Sequence, residues 1–151
     1  MKPTGLAKGM LAGILATVPM TVAMELGRRG GLLRRLPPEE ITDRLLASAG
    51  TTVAKRDHRQ SVAILVHLAT GAALGAIYAV LPPHDRLTHR IGLGATYGLG
   101  VYTLNYAGLA PKLRLMPPPS QDRPGRQVTT LVAHLVFGAT LGFLLGLGPP
   151  D

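Results

Sequence analysis

Four runs of about 20 predominantly apolar residues constrain this chain more than any other feature, because each is long enough to cross a ~30 Å hydrocarbon layer as a helix. They fall near residues 5–27, 62–81, 91–110 and 128–148. Backbone polar groups in lipid find no water, so only helices and closed barrels can span it. No run alternates with period two, which leaves helices. Charged residues are only 16% of the chain against 46% hydrophobic ones, and they cluster between the runs. The expectation is an all-α fold, a four-transmembrane-helix bundle forming one membrane domain over residues 1–151.

The bundle reads as a duplication. His67-Leu68-Ala69-Thr70-Gly71-Ala72-Ala73-Leu74-Gly75 recurs as His134-Leu135-Val136-Phe137-Gly138-Ala139-Thr140-Leu141-Gly142, identical at six of nine positions. A weaker match sets Leu33-Arg34-Arg35-Leu36-Pro37-Pro38 beside Leu113-Arg114-Leu115-Met116-Pro117-Pro118, and places Glu25 on Asn105. The chain is then two tandem helical hairpins, about 5–83 and 91–150, related by a pseudo-two-fold along the membrane normal. Prolines follow each run, at Pro37-Pro38, Pro82-Pro83, Pro117-Pro118-Pro119 and Pro149-Pro150, and are expected to stop the helices.

The net charge of +8 would suggest nucleic acid in a soluble chain. Here the basic residues flank apolar runs, which points to anionic lipid headgroups and not to nucleic acid. The first long loop carries Arg28, Arg29, Arg34, Arg35, Arg44, Lys55, Arg56 and Arg59; the second carries Lys112, Arg114, Arg123 and Arg126. The opposite side carries Lys2, Lys8, Arg86 and Arg90. That asymmetry predicts both long loops in the cytoplasm and both termini outside it. Within the first loop, Pro37-Pro38-Glu39-Glu40 opens a short helix with Ile41, Leu45, Leu46 and Ala49 on one face and Gly50 after it. Such a helix lies on the headgroup layer or packs on the bundle end.

Small residues recur at every fourth position. They run Gly5, Gly9, Gly13, Thr17, Thr21, Glu25 in the first span and His67, Gly71, Gly75 in the second. In the third they are Gly94, Gly98, Tyr102 and in the fourth Thr130, His134, Gly138, Gly142, Gly146. Glycine lets helices approach closely, which is what drives association in lipid. Pro19 removes one backbone bond inside the first span, near Thr17 and Thr21. Ionisable groups in a membrane face the interior and find partners, so Glu25 is expected on His67 and Asn105 on His134.

Three functions fit these residues. The first is a non-enzymatic structural or accessory membrane component, its polar groups merely satisfied. The second is a b-type haem held by His67 and His134 as axial ligands, with glycines one and two turns away leaving room for a flat ring. The third is a small ion- or proton-coupled transport element using Glu25 and His67, which implies a homo-oligomer or larger membrane complex. Cysteine is absent, so there is no thiolate metal site or thiol nucleophile. Neither a metal motif nor a glycine-flanked serine elbow occurs, and no catalytic residue is assigned.

Ala16-Thr17-Val18-Pro19-Met20-Thr21, Met24-Glu25, Pro37-Pro38 with Ile41-Thr42, His67-x3-Gly71-x3-Gly75-x2-Tyr78 and His134-x2-Phe137-Gly138 together span nearly the whole chain. In these motifs it resembles the YagU-like family of small bacterial inner-membrane proteins. That resemblance implies a four-helix membrane fold in the bacterial plasma membrane and supplies no reaction. The tryptophan-free third span departs from the pattern.

Overall fold

The computed structural model describes residues 3–50, 56–81 and 86–147, and Pro82-Pro83 and Pro149-Pro150 lie outside that set. All regular structure among the described residues is helical: α1 (Pro3–Arg29), α2 (Pro37–Ser48), α3 (Arg56–Tyr78), α4 (Leu87–Tyr102), α5 (Ala110–Lys112) and α6 (Pro124–Gly146). A π-helical segment, Thr103–Leu109, joins α4 to α5, so the backbone is helical from Leu87 to Lys112. Among the described residues three helices are long and apolar enough to cross a membrane: Gly5–Arg29, His58–Tyr78 and Pro124–Gly146.

Glycine decides where the helices meet. A Cβ built on Gly13 would strike the Gly71 carbonyl oxygen, and one on Gly75 the Gly9 carbonyl oxygen. In the second half, a Cβ on Gly94 would strike the carbonyl oxygen of Gly138, one on Gly98 that of His134, and one on Gly142 that of Arg90. So α1 crosses α3, and α4 crosses α6, backbone against backbone. The two crossings use matching positions: Gly13 stands to Gly71 as Gly94 stands to Gly138. On that register Glu25 corresponds to Tyr106, one residue from the expected Asn105.

The halves are joined asymmetrically. α1 packs along α6, with Gly27 against Thr129, and Met20, Met24, Ala133, Phe137 and Leu141 share the main core. A strict pseudo-two-fold would repeat this packing between α4 and α3, but close backbone packing is not repeated there. Side chains bridge instead: the Tyr97 hydroxyl donates to the Leu74 carbonyl at 2.8 Å, and the Tyr78 and Tyr97 rings meet edge to face at 5.1 Å. α1 turns Leu11, Leu15, Val18, Val22 and Leu26 outward along one face, each more than half exposed. Bare leucine and valine at that spacing suit contact with lipid.

Helix ends differ from the proline expectation. α1 stops at Gly31, whose φ of 76° is left-handed, with Leu32 N–H donating back to the Gly27 carbonyl. α5 stops the same way at Arg114, φ 57°, with Leu115 N–H donating to the Ala110 carbonyl. Glycine adopts that conformation freely, whereas arginine is strained in it. Proline serves at helix starts: Pro37 and Pro38 open α2, and Pro124 opens α6. α2 has Glu39 and Glu40 in its first turn as expected. Its expected apolar face is only partly covered, however. Pro37 and Thr42 are the buried positions, while Leu45 and Ala49 are exposed. In α1, Pro19 leaves the helix unbroken; Thr17 and Thr21 donate to the carbonyls of Ile14 and Thr17.

Gly138→Ala is expected to cost about 1–3 kcal/mol, because its Cβ meets backbone that cannot yield. Gly92→Ala and Gly100→Ala, whose added Cβ meets nothing within 4 Å, should be neutral or stabilising by up to ~1 kcal/mol. Reversible unfolding in mixed micelles measures the difference.

Candidate functional site

Residues four apart on an α-helix drift by about 40° per step, since each residue turns ~100°. Four steps separate Gly9 from Glu25, so Glu25 is carried about 160° off the glycine face. Its side chain accordingly leaves the interior. The Glu25 carboxylate accepts from Arg28 Nε and Arg29 Nε at 2.6 and 2.9 Å and makes no hydrogen bond to His67. Met24 takes the buried place beside it. The expected Glu25–His67 pair is therefore corrected: both residues line one cavity without touching through a hydrogen bond.

The second half resists the same drift through its π-helix. There the Ala110 N–H donates to the Asn105 carbonyl, five residues back. A wider turn rotates less per residue, so the inward row Gly94, Gly98, Tyr102, Tyr106, Ala110 stays on one side. From Gly94 to the left-handed Arg114 the chain spends two residues more than from Gly13 to Gly31. Tyr106 is buried by this device, and it stacks on Tyr102 at 5.1 Å with the rings 16° from parallel.

Tyr102 in turn sets its ring edge to face with His134, centroids 5.7 Å apart. His134 Nδ1 lies 2.8 Å from the Thr130 carbonyl, which can only accept, so Nδ1 carries a proton and donates it there. Asn105 is half-buried and makes no hydrogen bond to His134, so the expected pair is replaced by Tyr102. His67 Nε2, Thr130 Oγ1 and Thr42 Oγ1 are buried without hydrogen-bond partners. An orphaned polar group costs about 1–3 kcal/mol and calls for an explanation such as a bound water.

At the loop end the tyrosine stack runs into an ionic network. The Tyr106 hydroxyl donates to Asp122 Oδ2 at 2.5 Å. Asp122 Oδ1 accepts from the Arg123 N–H at 2.7 Å and lies 3.4 Å from Arg126 Nε. Arg126 forks onto Glu40 of α2, at 2.8 and 3.3 Å. Gln127 donates to the carbonyls of Pro119 and Asp122, and Arg44 to that of Arg114. Both long connections thus meet at one end and are tied there by largely buried charges. Tyr102, Tyr106, Asp122, Arg126 and Glu40 are the site residues that sequence reading missed. The four-residue row from Gly98 through Tyr102 to Tyr106 was the available signal.

A separate cavity of about 550 Å³ lies between α1, α2 and α3. Thr17, Thr21 and His67 line it toward the crossing, Val18, Val22, Ile64 and Leu68 along its length, and Glu25, Arg29, Glu39 and Gln60 toward the loops.

A haem between His67 and His134 needs a flat slot beside both rings. Gly71 and Gly138, one turn from each histidine, face the Thr17 methyl with the Gly13 backbone, and the Gly94 carbonyl, respectively. The room that glycine opens is filled by neighbouring helix, and the residues present do not fit the group. Among the described residues no cluster of three or more His, Cys, Asp or Glu could hold a metal ion.

A sequence model of one family covers residues 3–148 of this chain. The chain belongs to DUF6789, a family of unknown function. Membership in DUF6789 carries no statement about the YagU-like group, and it assigns no activity. No curated protein and no solved structure matches the chain significantly.

Arg126→Met strands two carboxylates that are mostly shielded from water and is expected to cost about 3 kcal/mol. Glu40→Gln, which keeps a polar partner for Arg126, should cost less than half of that in the same micellar unfolding assay. The absorption spectrum of the purified protein is expected to show no Soret band.

Proposed function

We propose that the protein is a non-enzymatic integral membrane component of four spans, arranged as two glycine-locked hairpins with both long loops in the cytoplasm. The observation that carries this reading is the paired crossing, Gly9 and Gly13 on Gly71 and Gly75, Gly94 and Gly98 on Gly138 and Gly142. Close backbone approach is the dominant association mode for helices surrounded by lipid, where burying leucine gains nothing over leaving it in acyl chains. The outward leucine and valine face of α1 supports the same environment. The helical run Leu87–Lys112 is 26 residues, about 39 Å at 1.5 Å per residue, and is the fourth span of this reading.

Orientation rests on charge. Twelve of the sixteen lysines and arginines belong to the two long loops, and cytoplasmic loops are enriched in such residues. The YagU-like resemblance supports a bacterial plasma membrane. The tie between Arg126 and Glu40 supports a structural or accessory role, since it fixes the two loops as one surface. A second reading, a proton- or ion-linked element, is favoured by His67 Nε2, which is buried without a hydrogen-bond partner beside the cavity that Glu25 also lines.

The chain has no native cysteine, so single cysteines report topology directly. Ser48→Cys and Ser120→Cys are expected to react with a membrane-impermeant maleimide only from the cytoplasmic side, and Thr88→Cys only from the other. Labelling of Ser48→Cys and Ser120→Cys from opposite sides would end the four-span reading.

A further inference from the structure

The cavity between α1, α2 and α3 follows from the glycine crossing. α1 and α3 touch at Gly9, Gly13, Gly71 and Gly75 and leave a gap between them toward the loop end. Leu36 and the first turn of α2, at Pro38 and Glu39, close that end. The walls are apolar, and Val18, Val22, Leu26 and Ile64 are each more than half exposed, so the groove opens sideways where lipid would lie. From Val18 to Arg29 it follows eleven residues of helix, about 16 Å, which is close to half of a ~30 Å hydrocarbon layer. One leaflet's acyl chain has that length to fill.

At the mouth Arg28 and Arg29 share the single carboxylate of Glu25, while Arg35 is bonded to Asp43 at 2.7 Å and lies 3.9 Å from Glu39. Arg29 uses its Nε on Glu25 while its side chain is 74% exposed, which leaves the outer fork of the guanidinium for another anion. Such a fork matches a phosphate bidentately. We propose that this groove holds an acyl chain of one anionic phospholipid from the adjoining leaflet, with its phosphate on Arg29. The proposal rests on the membrane-spanning reading and adds to it a specific lipid site: the apolar groove holds the chain, and the two-to-one arginine cluster selects the charge.

Native mass spectrometry of the full chain released from mixed vesicles of phosphatidylglycerol and phosphatidylcholine tests it. The wild-type protein is expected to retain one phosphatidylglycerol in preference to phosphatidylcholine. Val22→Trp, which fills the groove from a lipid-facing position, should lower that occupancy roughly tenfold. Arg28→Gln combined with Arg29→Gln should reduce phosphatidylglycerol to the level of phosphatidylcholine. If Val22→Trp does not fold, Val18→Trp replaces it.

Retention of neither lipid by the wild type overturns the proposal. So does loss in the arginine variant with none in the tryptophan variant, which would mean charge attraction at the surface alone. Loss in the tryptophan variant with none in the arginine variant overturns it as well, because the occupant would then carry no phosphate. Cysteine labelling is read independently, so failure of the lipid site with intact topology removes this inference only.

Discussion

Everything in this molecule depends on helix backbones touching without side chains between them. At Gly13 on Gly71 and Gly94 on Gly138, carbonyl groups occupy the space where a Cβ would stand. In water that much glycine would weaken the helices by about 1 kcal/mol each. In lipid the balance reverses, because close van der Waals contact is the main attraction available. Once the crossings are fixed, the helices diverge away from them, and what fills the divergent ends separates the two halves. One half fills its gap with stacked tyrosines and an ionic network. The other leaves a groove.

The π-helix accounts for that difference. A row of residues four apart cannot stay on one face of a regular α-helix for long. In α1 nothing corrects the drift, so Glu25 moves outward to Arg28 and Arg29 and an apolar Met24 seals the interior. Between α4 and α5 the segment Thr103–Leu109 winds more widely, and Tyr106 remains inside to reach Asp122. Segments of this kind are found mostly at functional positions. Here it is the departure from symmetry that brings an aromatic chain from His134 to the loops.

The long helices and the small residues that recur along them are legible in the sequence, because length, hydropathy and spacing are local properties. The start of α2 is legible for the same reason, in Pro37-Pro38-Glu39-Glu40. The polar pairs are not. Reading Glu25 onto His67 treats the four-residue row as a straight line, and the 40° drift defeats it. Helix ends are also misread, since Gly31 and Arg114 stop their helices by backbone conformation several residues before the prolines. The bond between Arg126 and Glu40 joins residues 86 positions apart, and no periodicity marks such a pair.

The four tyrosines are all used inside, as two ring pairs, Tyr78 with Tyr97 and Tyr102 with Tyr106, and the chain has no tryptophan. Its intrinsic ultraviolet emission therefore originates wholly within the joint between α3, α4 and α6. Any event that loosens this joint alters the protein's own optical signal, while changes confined to the groove beside α1 leave that signal untouched. The molecule carries a built-in reporter at the seam between its two halves.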